Sequence, residues 1–307
     1  MMNPQRRLMR HTLLLAVSAL LILSLTGCAA SGPRIYQWEI RSETATVTMA
    51  GSIHVGQEDF FPLPAPFEDA FTAADALAVE VDATSPENLQ KTQVLMMQQG
   101  MLPGSQTLKD RLDPELYARL EAFAAEKGEP LVMYSKFKPG LVALILTMNE
   151  YQRQGFNMEL GIDKHFLDQA KEAGKPVREL ETIESQMKLF LEVDDELDDL
   201  MLSETLGQMD GLQEQTALMV ELWKTGDVEG LDAFLAEQIG SDERMQAYYR
   251  KLLDDRNVQM AEKIDAWLRA DEDIYVVVGA GHFSGKMGLV QLLEDKGWKV
   301  EQGRAEK

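Results

Sequence analysis

Asp273-Ile274-Tyr275-Val276-Val277-Val278-Gly279-Ala280-Gly281-His282 decides the fold. Its β-branched and aromatic run reads as a strand, and the glycines after Val278 end it. A helix over Lys286 to Lys296 and a last strand over Trp298 to Gln302 are expected to follow. The other end of the chain carries matching signals. Tyr36 to Ile40 and Thr44 to Ala50 flank the polar Arg41-Ser42-Glu43, as in a hairpin. After a loop holding Pro62, Pro64 and Pro66, and a short helix from Phe67 to Ala73, comes Ala76-Leu77-Ala78-Val79-Glu80-Val81-Asp82. It is apolar without alternation until Glu80, the pattern of a strand buried on both faces of a parallel sheet.

Between these ends the chain reads as helical. Asp113-Pro114-Glu115 is a cap, a first-position proline and a first-turn acid, and Gly128 closes that helix. Leu141 to Met148 is apolar on every side but spans only eight residues, which fits a buried core helix and not a membrane span. Gly161 to Ala173 is a further helix, Lys175 to Leu180 a short strand, and Thr182 to Ala270 helical with breaks near Gly211, Gly226 and Gly240. The expected class is therefore α/β. A central mixed sheet is built from the N- and C-terminal ends of the chain, with a large helical insertion at about 83–272 that forms a lid or cap. One domain over 34–307 accommodates the whole pattern.

Two histidines share one local context. His54 ends Gly51-Ser52-Ile53-His54, His282 ends Gly279-Ala280-Gly281-His282, and each motif follows an expected strand. A strand-end glycine lets the backbone turn tightly, and the carboxyl edge of an open α/β sheet is where ligands bind. Glu80 ends an apolar strand, and a carboxylate there is costly to bury unless it is paired or bound to a cation. A single Gly-x-x-His is common and usually structural. Two of them joined by a strand-end acid make a candidate divalent-metal site of His54, His282 and Glu80. Three protein ligands leave a position for a water whose pKa the metal lowers to about 7.

Gly51 to Gly56, Glu80 and Val278 to Gly285, with Gly161-Ile162-Asp163-Lys164-His165-Phe166, Lys175 to Thr182 and Asp255-Arg256-Asn257, together resemble the TraB/GumN family, which includes the Tiki metalloproteases. The resemblance runs from about Tyr36 to Val300. It implies a fold related to erythromycin esterase and the haem-binding ChaN-like proteins and, for Tiki members, metal-dependent cleavage of peptide bonds. It carries His54, Glu80 and His282 to the active site, and Asp163 and Arg256 to supporting or transition-state roles.

The expected activity is thus a metal-dependent hydrolase, acting on a peptide or small molecule with Mn, Co or Zn as the divalent cofactor. Glu80 is either the third ligand or the general base. Arg256, charged at any working pH, suits an oxyanion; its plainer reading is a surface ion pair with Asp254 or Asp255. Asp163 and His165 stand two apart on a helix and point in different directions, so Asp163 is expected to face the site and His165 to be a packed or surface histidine. Two alternatives stay open. One is a metal-free esterase-like hydrolase with a histidine base, for which no Gly-x-Ser-x-Gly elbow nominates a serine. The other is a non-catalytic surface protein that binds a peptide, haem or metal. Six acids between Glu192 and Asp199 lack the glycine and spacing of an EF-hand loop and read as a solvated helical face. Met96, Met97, Met148 and Met158 read as core filling.

Composition bounds the setting. Arg6, Arg7 and Arg10 precede the 13-residue apolar run Leu13 to Leu25, a charged and an apolar region of a cleaved signal, too short to span a bilayer. The run ends in Leu25-Thr26-Gly27-Cys28, which resembles a lipobox. Residues 1–27 are therefore expected to be a signal peptide, Cys28 the lipidated residue and membrane anchor, and 28–33 a spacer. Ala29 is not the aspartate that resembles an inner-membrane retention signal, so the expected placement is the outer membrane facing the periplasm. Cys28 is the sole cysteine, so it forms no intramolecular disulfide. The net charge is −21; without the three arginines of residues 1–27, 27 basic against 51 acidic residues leave −24. Such a surface repels phosphate backbones and excludes a nucleic-acid function.

Overall fold

A computed structural model describes residues 32–305. Residues 1–27 and Cys28 lie outside the described residues. Six strands form one mixed sheet: β1 (Arg34–Arg41), β2 (Thr46–Ser52), β3 (Ala76–Val79), β4 (Val177–Glu179), β5 (Ile274–Gly279) and β6 (Val300–Arg304), in the order β4-β3-β5-β2-β1-β6. β1 and β2 form the expected antiparallel hairpin, and β6 pairs antiparallel with β1. β4, β3, β5 and β2 run parallel. The last long strand therefore slots between two strands from the start of the chain, which is why β5 is apolar on both faces and buried through Val278. Each Val or Ile buried there contributes roughly 1.5–3 kcal/mol.

Helices Ala65–Ala73 and Ile162–Ala173 bring Phe71 and Phe166 against Tyr275 of β5, with ring centroids 5.9 and 5.0 Å away. Trp38 of β1 stacks on Phe283, just beyond β5, at 4.4 Å. Helix Asp254–Leu268 adds Met260, Ala261, Ile264 and Leu268 to the same core. The insertion builds a second apolar cluster, in which Leu120, Val142, Leu146 and Leu202 come from helices Pro114–Lys127, Pro139–Arg153 and Asp195–Gln208. Leu141 to Met148 thus lies in a core helix, as expected, although Leu144 faces outward. No helix among the described residues is long and apolar enough to cross a membrane.

Three sequence expectations change. β3 stops at Val79, leaving Glu80 just past the strand instead of within it. The acidic run is not one solvated face. Asp195 and Glu196 are exposed, but Asp194 caps the helix through Leu197 N and Asp199 pairs with Arg111. Asp198 is 3% exposed and its Oδ1 accepts the Gly140 N–H at 2.7 Å. That N–H belongs to the first turn of Pro139–Arg153, where no earlier carbonyl can reach it. Finally, Met97 and Met158 are exposed, not core filling, whereas Met148 packs against the sheet core.

Candidate active site

The four parallel strands end at one edge, and register places Ser52 of β2 beside Gly279 of β5 and Val79 of β3 beside both Val277 and Glu179. The residues just beyond those ends form the site: His54 after β2, Glu80 after β3, Glu181 after β4 and His282 after β5. His282 lies in the 3-10 turn Ala280–Phe283 and is 3% exposed, whereas the His54 side chain is 55% exposed and forms the open side.

Glu80 is the hub. Its Oε2 accepts from Arg256 Nη2 at 2.5 Å and Gln186 Nε2 at 2.9 Å. Its Oε1 accepts the Gly279 N–H at 2.7 Å and faces His282 Nε2 at 3.6 Å and His54 Nε2 at 3.8 Å. Burial pushes the Glu80 carboxyl up, but His282, His54, Arg256 and the Gly279 N–H outweigh it and bring it down to about 2. Asp163, in the first turn of Ile162–Ala173, holds His54 Nδ1 with Oδ2 at 3.2 Å. Its own Oδ1 accepts from Ser52 Oγ at 2.9 Å. The Asp163 charge raises His54 to about 9 against a smaller opposing effect of burial. His282 sits lower, at about 4, because burial outweighs the attraction of Glu80.

His54, Glu80, His282, Asp163 and Arg256, all nominated from the sequence, thus meet in one cluster. Arg256 is not a surface ion-pair partner of Asp254 or Asp255. It grips Glu181 through Nε and Nη2 at 2.8 and 2.7 Å, touches Glu80, and donates Nη1 to Leu252 O at 2.7 Å. These contacts commit four of its five N–H donors, leaving one on Nη1. His165 is away from the cluster, bonded to Glu68 and packed on Phe61.

The glycines act differently from the sequence expectation. Neither Gly51 nor Gly279 has a positive φ. A Cβ on Gly51 would lie 2.3 Å from the Tyr36 ring, so this glycine allows a close approach and not a special turn. A Cβ on Gly279 would sit 3.2 Å from Glu80 Oε1 and 3.3 Å from His54 Nε2, inside the space those atoms face.

Glu181, Gln186 and the site role of Asn257 escaped the sequence reading. Glu181 was within reach, since it follows β4 by two residues as His54 follows β2. Gln186 and Asn257 sit on helices, where nothing local distinguishes them. Asn257 is 1% exposed and presents Oδ1 to His282 Nδ1 at 2.5 Å.

The donor set suits a borderline divalent cation, whose two tetrahedral ligands stand roughly 3.4 Å apart; the two separations from Glu80 Oε1 are 3.6 and 3.8 Å. Among the described residues, however, no group of three or more His, Cys, Asp or Glu side chains is arranged so that it could hold a metal ion as it stands.

The sequence model of the TraB/PrgY/gumN family matches residues 37–302. The chain is 29% identical to the "Uncharacterized protein YbaP" of Escherichia coli (strain K12), over 80% of this chain and 86% of that protein. It is 22% identical to "Metalloprotease TIKI1" of Danio rerio, over 90% of this chain and 65% of that protein. For "Metalloprotease TIKI2" of the same fish the identity is 22%, over 82% of this chain and 57% of that protein. No solved structure matches. With the family model covering nearly all of the described residues, and the strand-end histidines and Glu80 brought together at one sheet edge, this chain belongs to the TraB/PrgY/gumN family.

Proposed function

We propose that the protein is a metal-dependent hydrolase of peptide bonds that works outside the cytoplasm, tethered through Cys28. The observation that carries the reading is the convergence of two imidazole Nε2 atoms on one oxygen, Glu80 Oε1, while each Nδ1 is turned to a side-chain oxygen behind it. Imidazoles that bind metals are oriented in this way. Two relatives named metalloproteases add support from homology.

His54 Nε2, His282 Nε2 and Glu80 Oε1 would hold the ion. A divalent cation there would polarise a substrate carbonyl and acidify a water to near neutrality. The rest is the work of the chain. Arg256 and Gln186 occupy Glu80 Oε2, so the carboxylate meets the site with Oε1 alone, which suits a ligand better than a base. Charge points the same way: once His54 is deprotonated, as a ligand must be, Glu80, Asp163 and Glu181 carry three negative charges against the single positive charge of Arg256, an excess of two that one divalent ion cancels. Asp163 steadies His54 at the open side, and the spare Arg256 N–H is the donor available to a developing oxyanion.

The test is turnover of a peptide library by purified protein, after exhaustive chelation and after return of Mn²⁺, Co²⁺ or Zn²⁺. Activity lost on chelation and restored by one ion is the expected result. Turnover that survives chelation would replace this reading with metal-free hydrolysis. Binding without turnover, or a Soret band on titration with haem, would favour a binding protein.

A further inference from the structure

Helix Asp254–Leu268 reaches the site with two adjacent residues: Arg256 toward Glu80 and Asn257 toward His282. The Asn257 side chain is buried and has one amide NH2 group and one carbonyl oxygen to place. Its Nδ2 donates to the Met287 carbonyl at 2.8 Å. A carbonyl oxygen only accepts, so this contact settles which way round the amide lies. Oδ1 is therefore the atom that meets His282 Nδ1, and it too only accepts. The proton of the neutral imidazole must then sit on Nδ1. Nε2 is left as a lone pair aimed at Glu80 Oε1, 3.6 Å away.

We infer that Asn257 is the positioning residue of this site: anchored by the Met287 carbonyl, it fixes His282 in the Nδ1–H tautomer and so determines that Nε2 is the atom free to bind a cation. The tautomer follows from the hydrogen bonds alone; its use in holding a metal rests on the function proposed above. His54 has an aspartate in the corresponding place, and a carboxylate accepts with either oxygen whichever way it turns. An asparagine needs the second anchor, and Met287, in the segment between His282 and helix Leu289–Asp295, supplies it.

The tautomer can be read directly in metal-free protein carrying ¹⁵N-labelled histidine, because protonated and unprotonated ring nitrogens resonate in separate ranges. In the parent protein His282 is expected to show a protonated Nδ1 and a bare Nε2; the opposite pattern overturns the inference without any variant. In Asn257→Leu the Nδ1–H form is expected to lose its dominance, and an unchanged spectrum would refute the assignment. Asn257→Asp, which still accepts from Nδ1, should keep it, so the test survives if the leucine variant fails to fold. Zn²⁺ titration against a coloured chelator should show binding weakened roughly 10–100-fold in Asn257→Leu and largely retained in Asn257→Asp. Zn²⁺ affinity in Asn257→Leu equal to the parent's would overturn the positioning role. If the parent binds no Zn²⁺ at all, the metal reading fails while the spectra still decide the role of Asn257.

Discussion

Gly279→Ala adds a single methyl and leaves every hydrogen bond of the site in place, since alanine keeps the N–H that Glu80 Oε1 accepts. The backbone at this position, φ −50° and ψ 138°, is ordinary for any residue. The methyl would stand 3.2 Å from Glu80 Oε1, 3.3 Å from His54 Nε2 and 3.6 Å from His282 Cδ2. A few tenths of an ångström of movement relieves those contacts, at a cost of about 1 kcal/mol. Restricting the unfolded chain returns roughly 0.4–1 kcal/mol, so the melting temperature should stay within about 3 °C of the parent's. Cation binding should change far more. An ion needing bonds of roughly 2.1 Å to the same oxygen and nitrogen must use the space the methyl fills. Zn²⁺ affinity is expected to fall at least about 100-fold, or about 2.7 kcal/mol, and peptide turnover with it. Calorimetric titration alongside a thermal melt separates the two effects. An unfolded variant would show that the methyl contacts cost far more than the geometry allows; a folded variant with unchanged Zn²⁺ affinity would refute the placement of the ion among His54, Glu80 and His282.

Burial raises the Asp198 carboxyl from its usual 3.8 to about 6. A raised folded-state pKa means stability that is full below pH 4 and lost as pH climbs through 6, by up to about 3 kcal/mol. Asp198→Asn still accepts the Gly140 N–H through its oxygen, so it should flatten that loss and gain about 2 kcal/mol at pH 7.5; urea unfolding with equal pH slopes in both proteins would contradict this. Arg256→Met strands Glu80 and Glu181 without their shared cation and should cost about 3 kcal/mol, whereas an unshifted urea midpoint would mean the network is not formed. Cys28→Ser should release the protein from the membrane fraction of its host, and retention there would sink the anchor.

The sheet was legible because its strands are apolar runs whose ends are marked: glycine after Val278, a lone acid after Val79, Gly51 before His54. Those same marks located His54, Glu80 and His282, since a residue beyond a strand end in a parallel sheet has only one edge to occupy. What escaped depends on partners distant in sequence. Arg256 is nominated by the family resemblance alone, since its local neighbours Asp254 and Asp255 suggest a surface ion pair; its real partners are 75 and 176 residues away. Asp198 was hidden inside a run of acids, and only the docking of Asp195–Gln208 on the start of Pro139–Arg153 separates it from its solvated neighbours. Gly51 and Gly279 matter for a missing Cβ and not for a tight turn, a reason visible only once Tyr36 and Glu80 are in place.

The central claim is that a divalent ion sits among His54, Glu80 and His282. Crystals of the protein grown with Zn²⁺, with diffraction recorded on both sides of the zinc absorption edge, test it most directly. An anomalous peak is expected within bonding distance of His54 Nε2, Glu80 Oε1 and His282 Nε2, absent from a His54→Ala, His282→Ala double variant. Zinc peaks elsewhere only, with this cluster empty and peptide turnover undiminished, would contradict it.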